Sequence, residues 1–313
     1  MAITVTSYDT TNKYEIVVQE FERTLGLWQS QFEKVCNVEV EPNAASKRVY
    51  AEHPVADIPT WNGTEEISAL SHGVSHKVTV SPDSFGGRMT FNEIEEARDP
   101  GLVQRGATRL TAAVQRTLES LVFNKLEAGD SESVDNGAGG TINIYHAEHP
   151  YGSGDGTQTN LVAGALAGSS LDSARAILRG WKNAAGQPLE LDRGPLALVV
   201  PPALGDTARR LVGSAQYFQS VGTSSGGATG AQLNPMAERQ IEVVETAYLA
   251  SSTEWYLIAR DFTPLNLWLP TVPSLRILQN PTKRLYEVSV IFEAKAYYTA
   301  PVQGIVVGNL TDD

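Results

Sequence analysis

The chain has 313 residues, 42% hydrophobic and 19% charged, with a formal net charge of -12. That length supports one large or two modest folded domains. The acidic balance argues against tight general binding to nucleic acid, which calls for a clustered basic surface. Cys36 is the single cysteine, which rules out an intrachain disulfide and a cysteine-built zinc cluster, so the chain folds by burial alone, as expected of synthesis in a reducing cytoplasm. No run reaches the ~18 apolar residues of a membrane span. The opening MAITVTSYDTTNKYE has neither the basic nor the apolar region of a signal peptide.

The first element is a helix over 15–35, where Val18, Phe21, Leu25, Trp28, Phe32 and Val35 recur at spacings of three and four. Such a stripe must be covered, either by its own domain or by a neighbouring chain. Residues 39–72 carry Pro42, Pro54 and Pro59 and few aliphatic side chains, so they read as an extended excursion. Strands follow at 74–80 and 86–92 around a Pro82-Asp83-Ser84 turn. A long helix over 101–128 comes next, with Asp99-Pro100 as its capping start and Gly129 as its stop. At 1.5 Å per residue it spans roughly 40 Å.

Residues 171–184 read as a helix, 195–200 as a buried strand closed by Pro201-Pro202, and 203–213 as another helix. Short strands are expected at 241–246 and 254–260, and the Gly/Ser/Thr-rich run 220–233 as a mobile surface loop. From 285 to 299, Tyr286, Val288, Val290, Phe292, Ala294, Ala296 and Tyr298 alternate with Glu287, Ser289, Glu293 and Lys295. That period of two implies a strand of roughly 50 Å. A chain with a helix and a strand of such lengths is an elongated α+β plate rather than a sphere.

Catalytic patterns are weak. Gly222-Thr223-Ser224-Ser225-Gly226 matches a nucleophile elbow in letters, but no helix signal follows it. His146 and His149 flank Glu148, and His72 and His76 stand four apart, yet Pro150 and Gly73 interrupt any helix that would aim either pair at a metal. The glycine clusters at 137–140 and 226–230 lack the lysine of a phosphate cradle. Trp61, Trp255 and Trp268 have no basic residues interleaved with them and read as packing anchors. No catalytic, cofactor or metal residue is assigned.

One stretch carries a resemblance. INIYHAEHPYGSGDGTQTNL includes the aromatic-to-His-Pro run Tyr145–Pro150 and the pair Asn160-Leu161. A helical segment, a Gly-x-Pro-Leu turn at Gly186–Leu189 and the exit Leu198–Leu204 follow. This order resembles the major head subunits of Mu-like tailed phages, members of the HK97-like capsid fold. The resemblance implies an N-terminal arm (1–41), an extended loop (42–75), a peripheral domain (76–140 and 276–313) with a spine helix on a long sheet, and an axial domain (141–275). It implies no enzyme activity and no cofactor. Copies would form pentamers and hexamers of an icosahedral head around double-stranded DNA, assembled in a bacterial cytoplasm. A portal, a separate scaffold or maturation protease, and a decoration protein would be the partners. Val18, Phe21, Leu25, Trp28, Phe32 and Trp61 are the candidate assembly contacts. An encapsulin-like compartment around cargo enzymes and a soluble hydrolase are the alternative readings.

Overall fold

The computed structural model describes residues 18, 21, 23, 30–42, 45–52, 74–135, 140–151, 156–183, 185–213, 216–219, 230–233, 240–280, 282–300 and 302–310. The main strands are β1 (Asn37–Glu39), β2 (Lys47–Glu52), β3 (Val74–Val80) and β4 (Asp83–Asn92), followed by helices α1 (Glu93–Arg98) and α2 (Leu102–Glu127). Strand β5 (Leu161–Val162), helix α3 (Gly168–Gly180), strand β6 (Leu196–Val200) and helix α4 (Gly205–Gly213) come next. The chain ends with β7 (Ile241–Glu245), β8 (Trp255–Ala259), β9 (Leu265–Asn280), β10 (Leu285–Tyr298) and β11 (Ile305–Gly308).

Two sheets organise the molecule. A long one has the order β1-β9-β10-β4, and a five-stranded one has the order β7-β6-β8-β11-β5. Alternation in β10 turns Val288, Val290, Phe292 and Ala294 into the core, where α2 lies across them with Val103, Ala107, Leu110, Val114, Leu118 and Val122. The approach is close at Gly106, where a Cβ would stand 2.3 Å from the ring of Phe91. A glycine inside a helix costs about 1 kcal/mol of propensity, and here it lets the helix sit against β4.

The start of α2 differs from its sequence reading. The chain enters through Gly101, whose φ of 98° is left-handed. The first-turn donors go to Glu96, whose carboxylate accepts from Gly101 N at 3.2 Å and Val103 N at 3.0 Å. Asp99, expected as the cap, pairs with Arg105 instead.

The five-stranded sheet is buried on both faces. Leu196, Leu198 and Val200 of β6, with Trp255, Leu257 and Ala259 of β8, face the helices α3 and α4. Ala197, Val199, Tyr256 and Ile258 point the other way and join the core under α2. One continuous core therefore ties both sheets together.

The long strand β9 had no counterpart in the sequence reading. Pro270 and Pro273 argue against a strand there, because proline cannot donate to a ladder. The structure accommodates them with register shifts between Trp268 and Thr271 and between Thr271 and Ser274. They also lie past Asn266–Trp268, the only part of β9 that β1 pairs with.

Sheet membership also moves two expected domain limits. Leu265–Asn280 belongs to the long sheet, so the limit at 275/276 falls inside a strand. Ile305–Gly308, expected with the long sheet, pairs with β8 and β5 in the other one. The expected excursion at 42–75 begins as a two-stranded ribbon, β2 against β3, from Lys47↔Val80 to Glu52↔Val74. The polar run at 220–233 is likewise partly ordered: Gln216–Gln219 pairs antiparallel with Gly230–Leu233. Among the described residues, no helix is long and apolar enough to cross a membrane.

Candidate assembly surface

The His-Pro region is a structural joint. The hydroxyl of Tyr145 donates to the carbonyl of Leu126 at 2.5 Å, and that of Tyr298 to Lys125 O at 3.0 Å, so two tyrosines satisfy carbonyls at the end of α2. Asn160 is fully buried; its Nδ2 donates to Ile144 O at 2.6 Å, and its Oδ1 accepts from His146 N at 2.9 Å. His149 is buried against Trp181, and its Nε2 donates to the same Ile144 carbonyl at 3.2 Å. Burial, helped by His146, pushes the His149 pKa down to about 4, against the opposing hydrogen bonds with Asn160 and Ile144. A neutral, hydrogen-bonded imidazole of this kind is a packing element. No group of three or more metal-ligating side chains occurs among the described residues. His72 and the Gly222–Gly226 pattern lie outside those residues.

The ribbon is bolted to the long sheet at its base. Lys47 Nζ stands 2.6 Å from Glu39 Oε2 and 3.0 Å from Glu41 Oε1, and the Tyr297 hydroxyl donates to Glu39 Oε2 at 2.8 Å. Val80, Trp268 and Tyr297 pack beneath, with Val49 against them. This cluster covers one end of the sheet face that looks away from α2.

The rest of that face is open. Its strands present Ser274, Arg276 and Leu278 of β9, Glu287, Ser289 and Ile291 of β10, and Gly86 and Arg88 of β4. Two charge pairs on it are local, Arg88 at 3.6 Å from Glu287 and Lys295 at 2.9 Å from Asp83, and Arg276 is exposed beside them. Ile291 is 48% exposed and Leu278 is 38% exposed, two aliphatic side chains on an otherwise polar surface. Sequence reading passed over them, although Ile291 interrupts the polar phase of the 285–299 alternation and was legible as out of place.

Of the six residues expected at contacts between subunits, Val18, Phe21 and Phe32 are buried in the core of their own chain. That is the intramolecular one of the two placements their stripe allows. Leu25, Trp28 and Trp61 lie outside the described residues.

Comparison with known proteins follows the same architecture. The family model for phage capsid proteins matches residues 77–300, most of the chain. The capsid of a native GTA particle is 12% identical, with a TM-score of 0.57 and 92% of each chain covered. A virus-like particle from Pyrococcus furiosus is 12% identical, with a TM-score of 0.54, 95% of this chain covered and 99% of that one. The procapsid of bacteriophage JBD30 is 13% identical, with a TM-score of 0.51 and 96% and 75% covered. No curated protein matches the sequence. At such identities the likeness is one of fold, and that fold is the HK97-like capsid fold. With the spine helix on a long sheet, the second sheet between helices and the family match over 77–300, the chain belongs to the phage capsid protein family.

Proposed function

We propose that this structural, non-enzymatic capsid protein is the major head subunit of a Mu-like tailed phage. The supporting observation is the Tyr145–Pro150 turn locked by Asn160, which sits in the order that resembles Mu-like subunits. Copies would close as pentamers and hexamers around double-stranded DNA, entered through a portal and built on a separate scaffold or with a maturation protease. The acidic chain repels DNA weakly through screened solvent, which suits a container better than a binder.

In this reading, residues 1–41 form an arm anchored in its own subunit through Val18, Phe21, Phe32 and Val35, while the segment before Val18 reaches a neighbour. The ribbon β2–β3 carries the extended loop from a fixed base at Lys47 and Tyr297. The open face around Ile291 and Leu278 receives a neighbouring subunit.

Negative-stain microscopy of the concentrated protein, with and without its scaffold, tests the reading. Closed particles or rings are expected; a monomer under every condition would reject it. A compartment around cargo enzymes, a shell of the same fold with other contents, is the second reading. Nuclease-protected DNA inside purified shells supports the head, and a co-purifying protein cargo supports the compartment.

A further inference from the structure

The chain carries 36 acidic side chains against 24 lysines and arginines, yet the exposed residues of α2 include three arginines and no acid. Arg105, Arg109 and Arg116 fall within an arc of about 40°, rising ~6 Å and then ~10 Å along the helix axis. Arg105 is paired with Asp99, whereas the side chains of Arg109 and Arg116 make no ion pair or hydrogen bond among the described residues. The two acids of the helix are engaged elsewhere. Glu119 is 5% exposed and its Oε1 accepts the N–H of Gln31 at 2.8 Å. Glu127 accepts from Ala250 N at 3.0 Å and from Ser251 N at 2.6 Å. The stripe ends at a cleft of about 490 Å³, lined by Ala112 and Arg116 of the helix and by Gln31, Pro202 and Tyr248 around it. Glu245, also in its lining, is paired with Arg209.

We propose that this face of α2 docks an acidic segment of a second protein, its carboxylates on Arg109 and Arg116 and an apolar side chain in the cleft. The arginines do not serve the helix itself, because Arg105 and Arg109 stand one turn apart and like charges at that spacing repel. Their complement is a row of carboxylates, which a guanidinium fork binds with two donors. The cleft argues for a peptide over nucleic acid. Its lining mixes the Arg116 guanidinium with the apolar surfaces of Ala112, Pro202 and Tyr248, which a side chain can fill and a phosphate rail cannot. The net charge of -12 also opposes so dense an anion as a duplex. A second copy is the lesser fit. The open sheet face, given above to a neighbouring subunit, lies on the far side of the long sheet from α2, so that neighbour leaves the stripe uncovered; this step rests on the capsid reading.

The probe is a fluorescein-labelled peptide of two Glu-Ala-Ala-Leu-Glu-Ala-Ala repeats, whose acids recur at the spacing of the stripe. Its fluorescence anisotropy is followed as full-length unassembled subunit is added, so docking is read apart from shell formation. Saturable one-to-one binding is expected, weaker at high salt. It should fall about tenfold or more in the double variant Arg109→Glu, Arg116→Glu. Both positions are exposed, so the variant should keep the native melting temperature, which makes a loss of binding attributable to the face. A peptide with Gln for Glu, and one with Ser for Leu, should each bind more weakly. No saturable binding, equal binding by the double variant, or equal binding of either altered peptide overturns the proposal. Tighter binding of a duplex DNA oligonucleotide at the same arginines would make this a nucleic-acid surface instead. Self-association of the dilute subunit, abolished by the double variant in sedimentation velocity, would give the face to a second copy and overturn it too.

Discussion

His149 shows how a single residue ties stability to pH. Its folded pKa is lowered to about 4, chiefly by burial, while an unfolded histidine titrates near ~6.5. A base with a depressed folded pKa gives up stability as the pH falls, because only the unfolded chain takes the proton. Unfolding free energy should therefore drop between about pH 6.5 and 4, by up to about 3 kcal/mol. Urea titrations across that range should show the slope, and His149→Gln should flatten it; an unchanged slope in the variant would place the acid sensitivity elsewhere. Asn160 is the stricter partner. Asn160→Ala orphans the N–H of His146 and takes a donor from Ile144 O, and each buried unsatisfied group costs roughly 1–3 kcal/mol. The expected loss, read from the denaturation midpoint, is of that order; a near-neutral substitution would mean that water replaces the amide.

Among the elements, the contact between α2 and the long sheet is set by volume at Gly106. Gly106→Ala gains about 1 kcal/mol of helix propensity. It also drives a methyl into the Phe91 ring, and overpacking costs roughly 1–3 kcal/mol. The packing term wins, so the variant should be less stable by up to about 2 kcal/mol. Phe91→Leu in the same chain should recover part of the loss, since the two positions touch and their effects do not add. A stabilised Gly106→Ala would show that the ring moves aside freely.

For the whole molecule, burial separates what holds the subunit from what the shell uses. Ile291 and Leu278 contribute little to the fold, because much of each side chain is already in water. A glutamate at Ile291 should leave the melting temperature of the isolated subunit nearly unchanged and lower the yield of shells. A fall in melting temperature equal to that of a core substitution would show that this face is covered within the subunit. By contrast, Phe32→Ala removes a buried ring and should cost about 3–5 kcal/mol in the isolated subunit.

The sequence alone determined those features whose cause is local. The stripe in α2 has no proline to break it, and the apolar phase of β10 runs unbroken from Tyr286 to Tyr298, so both were legible within a few residues of their ends. The His-Pro turn carried a resemblance to capsid subunits for the same reason: its spacing is short-range. Only the tertiary structure made β9 a strand, since two prolines obscure its pattern and it is held by pairing with β10. Only the structure sent β11 into the second sheet, buried Val18, Phe21 and Phe32 in their own core, and left one oxygen of Glu119 unmatched. Each of these depends on which distant segment lies alongside, and a local pattern cannot name its partner.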